Sequence, residues 1–343
     1  MRAITLREHG GPEQLLLEEL PIPEPGVAEV LVKVEAVSIN HLDLWVRRGL
    51  PGLGLTYPHI LGSDIAGTVA RLGPGVTGLA EGTPVLVQPG LSCRRCRECL
   101  AGRDNRCRHY RLLGEHVSGG CVEYLVVPAE NLLVRPAGLG AIEAAALPVT
   151  FMTAWQMLVG RARVEPGETV LVLGAGSGVG VAALAIARLL GARVIAASTS
   201  DEKLERAAGL GADATLRTDR EDFVAEVKRL TGKRGADVII EHVGQATWQQ
   251  SILACAGGGR IVTCGATSGW EAVTDLRHLF YRQLSILGST MGTRGDLAAI
   301  VEHVAAGRLS PVIDTVLPLA EARAAHERLE GRAQFGKIVL AVG

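Results

Sequence analysis

Thr169-Val-Leu-Val-Leu173 runs into Gly174-Ala175-Gly176-Ser177-Gly178-Val179-Gly180 and then into Val181-Ala-Ala-Leu-Ala-Ile-Ala-Arg188. No charged residue stands between Glu168 and Arg188, a span that could nearly cross a bilayer. Its four glycines, Gly174, Gly176, Gly178 and Gly180, argue otherwise. They predict a buried strand, a tight turn and a buried helix. Working outward, the pattern predicts strands at 193–197, 236–241, 259–264 and 285–289, with helices at 201–210, 220–230 and 247–253 between them. Strands alternating with helices at this pitch specify βαβ units, hence a parallel sheet covered on both faces.

A glycine turn between a strand and a helix suits a dinucleotide. Glycines allow the backbone to approach a pyrophosphate, which the helix N-terminus then stabilises. The strict G-x-G-x-x-G string fails, because Val179 holds the last glycine position and Gly180 follows. The context of strand, helix and second strand supports the reading over that of a merely structural turn. An acid at the end of the second strand would favour NAD. Ala197-Ser198-Thr199-Ser200 has none, and Ser198 and Thr199 with Lys203 would accept a 2′-phosphate, so the stretch leans to NADP, with NAD the other choice. The competing reading of Lys203 is a solvated helix residue.

Residues 1 to about 130 are β-rich, with strands expected at 30–37, 67–72 and 83–87 and Pro51-Gly52 and Pro74-Gly75 as punctuation. Residues 143–159 have helical spacing broken by Pro148, and 296–306 and 319–330 predict further helices. The apolar stretch 336–342 is expected to return as a strand to the first domain. Cys93, Cys96, Cys99 and Cys107, four of the seven cysteines, fall within one short loop. Four thiolates at this spacing match the tetrahedral demand of a structural zinc. An iron–sulfur cluster or unpaired surface cysteines are the alternatives. Arg94, Arg95, Arg97, Arg103, Arg106 and Arg108 crowd the loop and would offset the charge of a zinc held by four thiolates.

Composition narrows the partners. The 343 residues carry a formal net charge of -1 with 21% charged and 48% hydrophobic residues, which excludes a disordered chain and gives no basis for a nucleic-acid or membrane partner. Arg7 and Glu8 interrupt the N-terminal apolar run too early for a signal peptide, so a cytoplasmic protein is expected.

With Gly62-Ser-Asp64-Ile-Ala-Gly67, the four-cysteine loop, the Gly174–Gly180 turn and His326-x2-Leu329…Gly336-Lys-Ile-Val-Leu340, the chain resembles the medium-chain dehydrogenase/reductase family along nearly its whole length. The resemblance implies an α/β fold: a Rossmann doubly wound parallel sheet plus a GroES-like β-rich catalytic domain with a four-cysteine structural zinc lobe. It places the GroES-like domain at 1–150 with a C-terminal return at 291–343, and the NAD(P)-binding domain at 151–290. Zinc-dependent alcohol dehydrogenases of this family carry Cys where this chain has Asn40, and His where it has Ser63. Their third ligand falls near Val149, and their proton-passing Ser or Thr is Leu42 here. Asn40-x-x-Asp43 and Gly62-x-Asp64 are similar instead to the zinc-free quinone reductase branch, from which the four-cysteine loop departs.

The resemblance therefore implies hydride transfer between a nicotinamide cofactor and a small carbonyl, quinone or alcohol, with Asn40, His41, Asp43 and Asp64 as catalytic candidates. Val243 and Gly265-Ala266-Thr267 join the turn as cofactor candidates, the latter holding the carboxamide. A quinone- or enone-type reductase without catalytic zinc is the leading expectation, because polarising a conjugated carbonyl needs hydrogen-bond donors while a simple ketone benefits far more from a Lewis acid. Two alternatives remain: an alcohol dehydrogenase with atypical ligands, to which His41, His59 and Asp64 could contribute, and a crystallin-like binder without turnover. A homodimer or homotetramer is expected from the family, through an edge strand near 284–287.

Overall fold

A computed structural model describes residues 1–220 and 222–343. The chain divides into two units: Met1–Val149 with Thr293–Ala305 and Pro311–Gly343, and Thr150–Gly292 with Ala306–Ser310.

The second unit is built on a six-stranded sheet. Its strands lie in the order Ala214–Arg217, Arg193–Ser198, Thr169–Val172, Ala236–Glu241, Cys255–Thr263, Ser285–Gly288, and every pairing is parallel. Thr169–Val172 and Ala236–Glu241 are buried along their whole length, as strands covered on both faces must be. Leu171, Ile195, Ile239 and Ile261 share a core with Phe223, Val227 and Ile252 from the helices. This is the expected Rossmann architecture. Its connections run outward both ways from the adjacent central strands Thr169–Val172 and Ala236–Glu241, so a ligand crevice is expected beyond the carboxyl ends of those two.

Several boundaries differ from those the sequence suggests. The strand expected at 259–264 begins at Cys255, because tertiary pairing with Ala236 enlists Cys255-Ala-Gly-Gly-Gly259, a segment with no β-branched residue to announce it. Ala214–Arg217 was not anticipated as a strand. The helix expected over 220–230 includes Glu221, which lies outside the described residues. The described helix is Phe223–Leu230, capped by the Asp222 carboxylate, which accepts the Ala225 N–H at 3.0 Å. The 143–159 stretch is not one helix: Ala141–Ala145 ends before Pro148, which starts a second helix, Pro148–Trp155, and Gln156–Ala162 continues as a π-helix. Proline has no N–H to give the preceding turn and suits a helix start.

The first unit is organised by the long strand Glu29–Ile39. It pairs antiparallel with Asp64–Leu72 and Tyr124–Pro128, and with Lys337–Ala341 from the far end of the chain. Gly67 faces Val34 in that ladder, and a Cβ there would stand 2.1 Å from the Lys33 carbonyl oxygen, so only glycine fits. The returning strand sets Ile338 opposite Ile39 and thereby brings Lys337 to the start of the helix His41–Arg48. Among the described residues no helix is long and apolar enough to cross a membrane.

Candidate functional site

In the second unit the glycine turn is held from both sides. The Ala175 N–H donates to Ala197 O at 3.0 Å, tying the turn to the second strand, and the Ser177 hydroxyl accepts the Gly180 N–H at 2.9 Å as N-cap of the helix Gly178–Leu189. Gly174 has φ +56°, and a Cβ on Gly180 would stand 2.3 Å from the Gly174 carbonyl oxygen. Gly180 thus does the close packing that the strict motif assigns to the residue Val179 occupies here. Glycines at 174, 176, 178 and 180 that leave the turn open to close approach, and a capped helix of 12 residues, fit a pyrophosphate.

The other cofactor candidates fall into two groups. Ser198 is buried at the end of the second strand with its hydroxyl 3.3 Å from the Ser200 N–H, Thr199 is exposed, and Lys203 lies in the first turn of the next helix. Arg217 stands opposite Ser198 in the ladder and is tied to Asp201 at 2.6 Å and Asp219 at 2.8 Å. Val243 and the 265–267 loop are brought together: the Thr267 N–H donates to His242 O at 3.3 Å and the Ser268 N–H to Val243 O at 2.8 Å.

His242 is absent from the candidates above, yet its ring lies against the turn, 2.8 Å from where a Gly174 Cβ would be. Its Nε2 is buried without a partner among the described residues, and burial holds the imidazole below its usual pKa, hence neutral. An orphaned polar atom beside the first glycine is a second observation in favour of a bound dinucleotide. The only sequence signal was its place directly after a central strand.

In the first unit, two of the catalytic candidates, Asn40 and Asp64, converge on a residue the sequence had not singled out, Lys337, and a third, Asp43, is bound to Asn40. Asn40 caps the helix His41–Arg48 and forms a capping box with Asp43. The Asp43 carboxylate accepts the Asn40 N–H at 2.7 Å and the Gly62 N–H at 2.9 Å. Burial pushes its pKa up to about 6, against the lowering effect of those two N–H groups. Asn40 Nδ2 donates to Asp64 at 2.8 Å, and Asn40 Oδ1 accepts from Lys337 Nζ at 2.6 Å. Lys337 Nζ also reaches Asp64 Oδ2 and Ile39 O, each at 3.0 Å, so its three protons meet three acceptors. The other Asp64 oxygen accepts the Val149 N–H at 2.7 Å, and Ser38 Oγ lies 3.0 Å from Oδ2. Lys337 and Asp64 are both buried. An ion pair shielded in this way persists only because every remaining polar atom has a partner.

His41, the fourth candidate, stacks edge-on against Trp45 with ring centroids 4.9 Å apart. His59 is buried with Nε2 3.2 Å from Gly114 O, and burial depresses its pKa. The structure does not gather His41, His59 and Asp64: among the described residues, the only group of three or more His, Cys, Asp or Glu donors placed to share an ion is the cysteine loop. Ser63, at a family ligand position, donates its hydroxyl to Leu113 O at 2.7 Å.

The Sγ atoms of Cys93, Cys96, Cys99 and Cys107 all lie within 4.8 Å of one another, with Cys96 and Cys99 at 3.5 Å and Cys93 and Cys99 at 4.0 Å. Sulfurs about 2.3 Å from a tetrahedral zinc stand nearly 4 Å apart, so the donor set fits. The Arg95 N–H is the main cause lowering the Cys93 thiol to about 6, which favours a thiolate. Two of the neighbouring arginines have carboxylate partners of their own, Arg94 with Glu130 at 3.0 Å and Arg103 with Glu98 at 2.7 Å. Their charge is therefore shared with the surface as well as with the sulfurs.

A parallel sheet with a dinucleotide turn, joined to a β-rich unit with a four-cysteine lobe, defines a nicotinamide-dependent oxidoreductase fold. Known proteins agree. Residues 26–137 match the alcohol dehydrogenase GroES-like domain, and 178–306 match the zinc-binding dehydrogenase family. An NAD-dependent alcohol dehydrogenase of Sulfurisphaera tokodaii is 33% identical over 99% of both chains, and the human quinone oxidoreductase is 28% identical over 99% of this chain and 97% of its own. A crystal structure of an NAD-dependent alcohol dehydrogenase superposes with a TM-score of 0.97 at 52% identity, covering 100% of each chain. The chain belongs to the medium-chain dehydrogenase/reductase family and is an oxidoreductase of that family.

Proposed function

We propose that this oxidoreductase transfers hydride to a conjugated carbonyl, a quinone or an enone, and that Asn40 is the group that meets the substrate oxygen. The observation that carries this reading is the set of partners around Asn40. Where zinc alcohol dehydrogenases place metal ligands, this chain has a carboxamide whose oxygen is engaged by Lys337 and whose nitrogen faces Asp64. One Nδ2 hydrogen is used by Asp64, and the second is the one assigned to the substrate carbonyl. A fixed N–H donor suffices to polarise a carbonyl whose developing charge is spread over a conjugated system. Asp43 and Asp64 act by holding Asn40 and the start of its helix, with His41 in the first turn beside them. A bound nicotinamide dinucleotide supplies the hydride.

For the cofactor we assign Gly174, Gly176, Ser177, Gly178, Val179 and Gly180 to the pyrophosphate, and Val243 with Gly265, Ala266 and Thr267 to the nicotinamide half. Ser198, Thr199 and Lys203 meet the adenosine ribose. The NADP lean rested on the absence of an acid there, but Asp201 and Asp219 flank Arg217 opposite Ser198. Those carboxylates occupy the Arg217 guanidinium, the cation a 2′-phosphate would draw on at that edge, and several relatives are named NAD-dependent. NAD is therefore the proposed cofactor. One structural zinc is assigned to Cys93, Cys96, Cys99 and Cys107, and the edge strand Ser285–Gly288 to pairing with a second copy.

The alcohol dehydrogenase names of the relatives favour a second reading, in which an alcohol is oxidised at a metal held by other ligands. One experiment separates them: zinc per chain in protein purified without added metal, with turnover of enones, quinones and alcohols under NADH, NADPH or their oxidised forms. About one zinc per chain, enone or quinone turnover, and an Asn40→Ala variant at least several-fold lower in kcat/KM are expected. Two zincs with alcohol turnover unaffected by Asn40→Ala would establish the second reading. A wild type inert to every substrate would leave a dinucleotide-binding protein without turnover.

A further inference from the structure

Asn40 is symmetric in shape but not in chemistry, and its usefulness depends on which end faces the substrate. A carboxamide rotated by half a turn would present its oxygen, an acceptor, to a carbonyl and repel it. Here two opposite charges set the choice. Lys337 Nζ donates to Oδ1 at 2.6 Å, Asp64 accepts from Nδ2 at 2.8 Å, and the ammonium and carboxylate are themselves 3.0 Å apart. Reversing the amide would set its oxygen against a carboxylate and its N–H against an ammonium. The lysine contact also acts on the amide's electrons: a cation at the oxygen draws density from the nitrogen, against the density the Asp64 carboxylate returns there, and favours the remaining N–H as a donor.

We propose that Lys337 is a positioning residue of the active site, which fixes the direction of the Asn40 carboxamide and polarises its free N–H toward the substrate oxygen. Lys337 reaches this place because the C-terminal strand pairs Ile338 with Ile39, one residue before Asn40, although the two side chains are 297 residues apart in sequence. The ammonium also donates to the Ile39 carbonyl, which fixes its height above the sheet. This inference deepens the Asn40 reading and rests on it. It supplies the substrate oxygen with one oriented donor and no metal, which serves best where the developing charge is spread over a conjugated system.

The test is a double-mutant cycle of Lys337→Met and Asn40→Ala, read as kcat and KM for 2-cyclohexen-1-one and 1,4-benzoquinone. Zinc content and melting temperature are followed in parallel. If Lys337 acts through Asn40, Lys337→Met lowers kcat about ten-fold or more with a smaller change in KM, and has almost no further effect once Asn40 is Ala. Lys337→Arg, which keeps the charge, restores part of the loss. Should Lys337→Met fail to fold, Lys337→Met with Asp64→Asn leaves no charge buried alone and is compared with and without Asn40→Ala in its place. Equal losses from the lysine change in both backgrounds would make Lys337 merely structural and overturn the inference, leaving the Asn40 reading intact. An Asn40→Ala variant with wild-type kcat/KM would instead overturn the reading beneath it.

Discussion

Asp43 shows how one side chain can be costly to bury and still be required. Its carboxylate closes the N-terminus of the His41–Arg48 helix and anchors Gly62, yet burial lifts its pKa to about 6 from an ordinary value near 3.9. The folded state thus binds a proton that the unfolded chain has already released. Stability from this group is greatest below about pH 4, falls as pH rises toward 6, and is level above it. Relative to Asp43→Asn, the wild type should lose about 1.4 kcal/mol per pH unit across that window, measured by urea unfolding at several pH values. A difference between the two proteins that did not change with pH would show that the carboxylate titrates normally. Asp43 and Asn40 were both visible as candidates from their spacing. Lys337 was not, because nothing local in Gly336-Lys-Ile-Val-Leu340 separates an ion-paired lysine from one at a strand's exposed edge.

At the scale of elements, the strand–turn–helix around Gly174–Gly180 was legible because its information is local. A β-prone run, glycines where Cβ atoms cannot fit and an alanine-rich helix are all adjacent in sequence. The structure assigns the tightest contact to Gly180, where a Cβ would meet the Gly174 oxygen at 2.3 Å. Gly180→Ala should therefore cost about 1–3 kcal/mol and weaken NADH binding, read by calorimetry and by thermal unfolding. Gly209→Ala is the control: it ends another helix of the same unit, with nothing within 4 Å of its added methyl. It should leave binding unchanged and be neutral or stabilising by up to about 1 kcal/mol. Equal effects of the two substitutions would show that the turn tolerates displacement. Where elements were misjudged, the deciding contact was distant, as with Cys255-Ala-Gly-Gly-Gly259, which is a strand only because Ala236 and its neighbours pair with it.

Across the first unit as a whole, residues near the two chain ends lock together around Arg47. This guanidinium is buried, contacts the Gly10 carbonyl at 3.2 Å and Glu330, and lies 3.2 Å from His326 Nδ1. Burial first, and then the Arg47 charge, hold His326 down to about 3. The unfolded chain takes up a proton near pH 6.5 that the folded chain refuses, so this site loses stability as pH falls from about 6.5 toward 3. The sign is opposite to that of Asp43, and between pH 4 and 6 the two slopes offset each other in the wild type. His326→Gln should expose the Asp43 slope, making the protein less sensitive to acid by about 1.4 kcal/mol per pH unit relative to wild type. Parallel pH profiles for the variant and the wild type would contradict the buried neutral imidazole.

By itself the sequence determined the features whose physics is short-ranged: alternating strands and helices, the glycine turn, and four thiols spaced to surround one ion. Each depends on residues within reach of one another along the chain, where periodicity, steric exclusion and donor type act directly. Only the tertiary structure decided which side chains share a buried charge network. It set Lys337 against Asn40 and Asp64, turned His242 onto Gly174, and kept His41, His59 and Asp64 from forming a metal site. Those outcomes follow from strand register and sheet order: a shift of a single residue in the ladder would turn Lys337 and Asp64 to the opposite face of their sheet.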